Sequence, residues 1–541
     1  MGGLAHAPGC GAGRRQGLNG MGIWSLYFLG KLGLYWGQVS GLHWFPNLLF
    51  AVTLAWPLQA PRWRRLRHLG AVPVALALLY HDSFLPPFSR LWSQVSALAS
   101  FSPDYALELA ERVVSVPVLA GLAAAVVAYV LLHRRLRFAT LAVLGLLTVP
   151  LLPEPGFWAR NAAPGATLNN RGDANAAAPL TLGQLDARLE AFHDSERDKR
   201  VVLPSGTVPA FDIVVLSVCS LSWDDLDEVR LRDAPLMQRF DIVFRQFNSA
   251  ASYSGPALLR LLRASCGQTP QSALYDTAPA GCHLFDGLAQ AGYKPALLMN
   301  HDGHFDNFAR QLREQGGLDS LGASATLDTG ARVAMRSFDG TPIYADDDTL
   351  MRWWRARGSD PAPRALLYNT ITMHDGNRVP GSVSRRSRET YKPRLLKFFA
   401  DLERFIALVE QSQRPTLLLL VPEHGGAVRG DAVQIPGLRE IPTPAITSVP
   451  AAVKLIGFDG LPPGTAPISV ERPSSYHALA ALIAALLPGG RAVGGREQLE
   501  ALVRELPGTD WVAENEGTVL LRQGRSSWLR TPQIGWAPYQ P

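Results

Sequence analysis

The sequence predicts an α/β protein in two parts: an amino-terminal bundle of five transmembrane helices, then a domain built on a mostly parallel sheet. Three observations carry this. The first 153 residues hold five apolar stretches, roughly 23–40, 44–60, 69–85, 113–132 and 138–153. From about 205 to 505, apolar strand-like runs alternate with helical patterns such as Leu258–Ala264, Leu284–Ala291, Leu395–Gln411 and Tyr476–Leu487. That alternation is the mark of βαβ units. Four of the strand-like runs also stop at residues able to bind metal or phosphate. At 541 residues the chain is too long for one core, so division into parts is expected.

The apolar stretches come first. Several fall a little short of the about 20 residues that span a bilayer, so buried core helices are the competing reading. The arginines decide between them. Arg14-Arg15, the cluster Arg62/Arg64/Arg65/Arg67, and Arg134-Arg135 with Arg137 all fall on one side if the five stretches cross. Positive residues mark the cytoplasmic side, which places the amino terminus inside and everything after the fifth span outside. Those nine arginines exceed the net charge of +6. The basic balance therefore reflects topology, and no basic-aromatic surface points to nucleic acid. Lys31 falls within the first span, where a charge is costly; it either snorkels or faces another helix.

Residues 154–200 read as a linker. The stretch 161–179 is small, polar and without period, and a helix near Leu182–Ser195 closes it. The domain proper is expected over 201–541, ending in a small hairpin near 518–530. Of four cysteines, Cys10 falls on the cytoplasmic side. Cys266 and Cys282 close a short loop in an oxidising compartment and are expected to form a disulfide. That leaves Cys219 as a lone exported thiol, which calls for an explanation.

The strand endings supply one. The run from Phe211 ends at Cys219, that from Pro295 at His301, that from Ala365 at His374, and that from Pro415 at Glu423-His424-Gly425-Gly426. Ligands of open α/β sheets bind just beyond such carboxyl ends. A buried strand has little structural reason to end in Glu-His-Gly-Gly, and the glycines let backbone approach a ligand. Thiolate, imidazole and carboxylate together suit zinc with one open position, and magnesium or calcium would not select a thiolate. Ser254, in Tyr253-Ser-Gly-Pro, opens a helical run, and two readings stand: a helix cap, or a nucleophile whose phosphoryl adduct the helix amino terminus stabilises. His374 and Arg439 are suited to holding phosphate oxygens, and His374 to protonating a leaving group. His301 and His304 are weaker candidates. Trp223, Trp353 and Trp354 suit either sugar stacking or core packing.

The strings Cys219-Ser-Leu-Ser-Trp, Phe247-Asn-Ser-Ala-Ala-Ser-Tyr-Ser-Gly-Pro-Ala, Leu261-Leu-Arg-Ala-Ser-Cys-Gly-Gln, Met373-His-Asp-Gly-Asn and Val421-Pro-Glu-His-Gly-Gly resemble the BcsG family of cellulose phosphoethanolamine transferases. The resemblance covers nearly the whole chain. More distantly it extends to lipid A phosphoethanolamine transferases and lipoteichoic acid synthases of the alkaline phosphatase superfamily. It implies an alkaline-phosphatase-like α/β/α periplasmic domain with one Zn2+, on a multi-pass protein of the bacterial inner membrane. By matched motif it makes Ser254 the nucleophile. Cys219, Glu423 and His424 hold the zinc with Ser254, His374 and Arg439 serve the phosphoryl group, and Tyr253 assists at the substrate; His301 is expected to bind substrate from its place at a strand end. The donor implied is phosphatidylethanolamine, the acceptor the glucose 6-hydroxyl of nascent cellulose, and the partners are subunits of a cellulose synthase complex. A cysteine where many superfamily relatives have a carboxylate, a serine for threonine, and Glu423 for aspartate all match the cellulose-modifying branch. Two alternatives remain open: transfer or phosphodiester cleavage on another glycan or lipid, and a non-catalytic assembly subunit.

Overall fold

The computed structural model describes residues 21–541 apart from 37–39, 59, 84–100, 114–115, 134, 152–180, 206–208, 320–324, 328–329, 383, 385, 432, 462–463, 489–494, 533–534 and 540–541. Cys10, Arg14, Arg15, Arg134 and the linker stretch 161–179 lie outside the described residues. The chain forms two compact units: Met1–Leu91 with Ala110–Arg171, and Trp92–Leu109 with Gly172–Pro541.

In the first unit each expected apolar stretch overlaps a helix: Trp24–Trp36, Trp44–Ala55, Pro61–Asp82, Val116–Leu132 and Phe138–Thr148, the third beginning eight residues before its stretch. Among the described residues, however, no helix is long and apolar enough to cross a membrane. The longest, Pro61–Asp82, has four arginines in its first two turns, and Trp24–Trp36 with 13 residues spans only about 20 Å. Phe28, Phe50, Leu54 and Leu146 form an inner core, while Leu49, Val52, Leu76, Leu141 and Leu144 stay exposed. Lys31 faces other helices. Its ammonium is buried, ion-paired with Asp82, and donates to Asn47 Oδ1 at 2.8 Å and Leu78 O at 3.1 Å. Asp82 thus neutralises a charge that would otherwise be costly in an apolar interior.

The second unit is organised by an eight-stranded sheet. In chain order its strands are β1 (Asp212–Val218), β2 (Ile242–Phe244), β3 (Lys294–Met299), β4 (Ala325–Leu327), β5 (Arg364–Thr370), β6 (Thr416–Pro422), β7 (Ala452–Ile456) and β8 (Ile468–Val470). Their order across the sheet is β8-β2-β7-β6-β1-β5-β3-β4, and only β7 runs against the rest. Strands buried on both faces should read as unbroken apolar runs, as Ile213–Leu216 and Leu417–Val421 do. Alternate side chains point to opposite faces. Ile213, Val215, Leu417 and Leu419 enter one core with the helices Ser254–Leu262 and Tyr476–Leu486. Val214, Leu216, Leu418 and Leu420 enter a second core with Tyr391–Gln411. The result is three layers, helices on both sides of the sheet.

Trp223 and Trp354 belong to that second core, and Trp353 packs against it. The expected terminal hairpin is the middle of a larger element. Trp511–Asn515, Thr518–Gln523, Ser526–Thr531 and Gly535–Tyr539 form a four-stranded antiparallel meander. Its Val512, Val519, Leu521 and Trp536 bury Leu185, Leu189 and Phe192 of the helix Leu182–Arg197. The outer strands escaped a reading by alternation because Trp511–Asn515 is buried along its whole length and the last strand contains Pro538.

Candidate active site at the carboxyl edge of the sheet

The four strand endings singled out above belong to β6, β1, β5 and β3, four neighbours in the sheet. Val218 pairs with Pro422 on one side and Thr370 on the other, so the residues that follow β1 and β6 emerge side by side. Ser220 turns the chain sharply with φ of 65°, in the left-handed region that costs a non-glycine residue energy. Two bonds hold this turn: Leu221 N–H to His424 O at 2.7 Å, and Tyr391 Oη to Ser220 O at 2.7 Å.

Ser254 is the first residue of its helix, with Tyr253 at the cap position. Its hydroxyl makes no capping bond and faces the strand ends instead. Ser254 Oγ lies 3.2 Å from His424 Nε2 and 3.4 Å from Cys219 Sγ, and Cys219 Sγ lies 3.7 Å from His424 Nε2. Ligand atoms of Cys219, Glu423 and His424 all fall within 4.8 Å of one another, with all three residues buried. His424 Nδ1–H donates to Gly425 O at 2.8 Å, which leaves the Nε2 lone pair aimed into the cluster. Glu423 Oε1 accepts from Ser217 Oγ at 3.0 Å and from Asn369 Nδ2, whereas its buried Oε2 has no hydrogen-bond partner. An orphaned buried carboxylate oxygen beside a thiol and a free imidazole lone pair is what a cation site requires.

The electrostatics point the same way. Burial, then the Glu423 carboxylate, pushes the Cys219 thiol up to about 12. The sulfur therefore becomes an anion only when a cation replaces its proton. Burial, then Arg439, holds His424 well below its usual value, so its ring is neutral and able to ligate. The same two causes bring His374 down to about 4. Arg439 donates to Ser220 Oγ at 3.1 Å and its guanidinium sits 5.4 Å from the Tyr253 ring centroid. Tyr253 Oη in turn donates to Glu440 Oε1 at 2.6 Å.

His301 sits one step further back. Its Nε2–H reaches Asn369 Oδ1 at 2.8 Å, and Asn369 holds Glu423. Its Nδ1 accepts from Gly303 N–H at 3.2 Å, so both ring nitrogens are engaged. His304 lies on the surface. Three supporting residues escaped the sequence reading. Ser217 and Asn369 sit inside apolar strands, and only their pairing beside Glu423 reveals them. Asp225 accepts from Gly426 N–H at 2.6 Å, Val428 N–H at 3.1 Å and Ser222 N–H at 3.0 Å, which anchors the loop after His424. The string Ser222-Trp-Asp-Asp does carry the capping-box spacing that this helix start displays. Cys266 and Cys282 are joined by a disulfide, and Cys219 is the free cysteine among the described residues.

An α/β domain with a cation-ready cluster and a serine hydroxyl at this edge has the groups that metal-assisted group transfer or hydrolysis would use. Family models agree on something narrower. The model of the cellulose biosynthesis protein BcsG C-terminal domain matches residues 169–536, and that of the BcsG N-terminal domain matches 24–151. The chain belongs to the BcsG family. It is 38% identical over 550 residues to the cellulose biosynthesis protein BcsG of Escherichia coli K12, covering 97% of this chain and 96% of that one. The Salmonella typhimurium protein of the same name is 36% identical over the same shares. Among solved structures, a lipooligosaccharide phosphoethanolamine transferase A from Neisseria meningitidis gives a TM-score of 0.42 at 14% identity, over 88% of this chain and 98% of that one. A protein of the alkaline phosphatase superfamily from Vibrio parahaemolyticus gives 0.44 at 14%, over 65% and 87%. Likenesses this distant carry no inference about activity.

Proposed function

We propose that this protein transfers phosphoethanolamine from phosphatidylethanolamine to the glucose 6-hydroxyl of nascent cellulose through a covalent Ser254 intermediate. One observation carries it: the Ser254 hydroxyl, free of any capping role, sits 3.2 Å from His424 Nε2 and 3.4 Å from Cys219 Sγ. Membership of a family whose curated members are named for cellulose biosynthesis supports the acceptor. The quoted motifs, which resemble the cellulose phosphoethanolamine transferases, support the group transferred.

Cys219, Glu423 and His424, with Ser254, would hold Zn2+, since a thiolate in the set favours zinc over magnesium or calcium. When bound, the ion supplies a lowered pKa for the serine hydroxyl and charge compensation at the phosphoryl oxygens. In the first half-reaction Ser254 Oγ attacks phosphorus and forms the new P–O bond. The diacylglycerol oxygen leaves with the bond pair and takes a proton. In the second, the sugar 6-oxygen attacks the phosphoserine, and Ser254 Oγ leaves as the sugar proton is released. The neutral His374 is suited to passing these protons, and the Arg439 fork to gripping phosphoryl oxygens. Tyr253 adjoins Ser254 and holds its ring against the Arg439 guanidinium, and His301 acts by fixing Asn369 and through it Glu423.

A membrane location fits this donor. The outward-facing Leu49, Val52, Leu76, Leu122, Val126, Leu141 and Leu144 are what a lipid-embedded bundle would present, and the arginines support a cytoplasmic amino terminus. The test is the intact mass of the zinc-loaded full chain in micelles containing phosphatidylethanolamine, beside Ser254→Ala. A gain of one phosphoethanolamine group, absent from the variant, is expected. No gain despite bound zinc would remove Ser254 as nucleophile and favour an assembly role.

A further inference from the structure

A segment from well before the linker is built into the catalytic unit. Phe101–Leu109 includes most of the helix Pro103–Val113 and belongs to the same compact unit as residues 172–541. It seats on the loop that carries His374. Ser102 N–H donates to Phe338 O at 2.8 Å. Phe101 and Tyr105 lie 5.6 and 6.0 Å from the Phe338 ring, and Phe338 lies 4.8 Å from the His374 ring. Tyr105 Oη donates to Asp375 Oδ2 at 3.1 Å. Glu108 is buried; its Oε1 accepts from Ser387 N–H at 3.1 Å and Ser387 Oγ at 3.0 Å, and its Oε2 lies 2.7 Å from Arg378 Nη2. Gly376, at φ of 82°, brings the loop against this helix so closely that a Cβ there would meet Tyr105 Cε2 at 2.8 Å and Phe338 Cβ at 2.6 Å.

The contacts bracket one residue. Asp375, Gly376 and Arg378 follow His374 directly, Phe338 covers its ring, and Ser387 connects back to it through Arg394. That arginine donates to Ser387 O at 3.0 Å and to His374 O at 2.9 Å. A buried carboxylate such as Glu108 needs such partners to be tolerated, and its partners are the flanks of the His374 loop.

We propose that Tyr105 and Glu108 are positioning residues of the Ser254 site: they lock the 374–378 loop from outside the linker-to-terminus domain, so that His374 is aligned only when the amino-terminal part of the chain is present. This rests on the Ser254 reading above. It makes the segment between the third and fourth apolar stretches part of the enzyme, and it predicts that a fragment starting at the linker works slowly.

The test uses the full chain in phosphatidylethanolamine micelles with Glu108→Ala, Glu108→Gln and Tyr105→Phe. Three quantities are read: the rate of Ser254 modification across a lipid titration, bound zinc by elemental analysis, and hydrogen exchange across residues 372–390. Misaligning a reacting group costs about tenfold or more. Glu108→Ala should therefore lower the rate about tenfold with KM unchanged and zinc retained, and speed exchange in 372–390 above all. Glu108→Gln should recover part of the rate, since its amide oxygen still accepts from Ser387. Tyr105→Phe, which removes one hydroxyl and leaves the packing, should show a smaller loss with the same exchange signature. Unchanged rates, or a loss of thermal stability without a change in rate or in local exchange, would overturn the inference. No modification in the unsubstituted chain would overturn the Ser254 reading and this inference with it, an outcome told apart from unchanged rates by the absence of any Ser254 adduct in the unsubstituted chain itself.

Discussion

Removing the disulfide isolates the contribution of one covalent constraint in the second unit. Cys266 and Cys282 are 16 residues apart. On the chain-entropy model, cross-linking a loop of that length removes roughly 10 cal/mol/K from the unfolded ensemble, or about 3 kcal/mol at 25 °C. Both sulfurs are buried, so the double variant Cys266→Ala/Cys282→Ala is preferable to serines, which would bring unsatisfied hydroxyls. Cys266 lies just past the helix that Ser254 opens, its N–H bonded to Arg263 O at 3.0 Å. The lost constraint is thus at the far end of that helix from the nucleophile. For a unit of this size about 2 °C is lost per kcal/mol, which gives a fall in Tm of about 6 °C. The assay is a thermal scan of the full chain in micelles by tryptophan fluorescence, with and without a phosphine reductant. The unsubstituted chain should lose the same stability on reduction, and the variant should not respond. A loss under about 1 kcal/mol, or a variant still sensitive to reductant, would refute the argument that loop closure is what the bond contributes.

Other consequences follow from the same geometry. Cys219→Ala should drop bound zinc from about one per chain to well below that, read by elemental analysis after dialysis; full retention would take Cys219 out of the ligand set. Asp225→Ala leaves the buried Gly426 and Val428 N–H groups without their acceptor, at about 1–3 kcal/mol each. Denaturant midpoints should show a loss of several kcal/mol, with a smaller one for Asp225→Asn, whose single oxygen can still accept from Gly426 while its amide nitrogen faces the Val428 N–H; equal losses would count against the anchoring role. Gly425→Ala would put a Cβ 2.6 Å from Ser222 Oγ and 2.8 Å from Ser222 Cβ, so Ser254 modification should fall with His424 displaced, and full activity would contradict this packing. Asp346 is buried and its pKa is raised from 3.8 to about 6 by that burial. A raised folded-state pKa gives stability that is present below about 3.8 and lost as pH rises through about 6. Relative to Asp346→Asn, the unsubstituted chain should therefore lose about 2 kcal/mol between pH 4 and pH 6.5, and a difference independent of pH would refute the shift.

The sequence by itself determined the α/β class and the edge at which chemistry collects. Apolar runs such as Leu417–Val421 are strands because both faces are buried, and a polar residue directly after such a run must emerge at the sheet's carboxyl edge. Cys219, Glu423 and His424 were legible for that reason. Helix ends were legible too, because Ser254 and Pro256 mark a first turn. Tertiary structure alone decided the rest. Strand order is set by which helices cover which face, so no local pattern says that β6, β1, β5 and β3 are neighbours. Asn369 and Ser217 became support for Glu423 only through register between strands far apart in the chain. Asp82 found Lys31 across 51 residues, and Glu108 found Ser387 across 279. Such pairs satisfy a buried charge that local sequence can expose as costly but cannot match with its partner, because the partner's distance is fixed by packing and not by period.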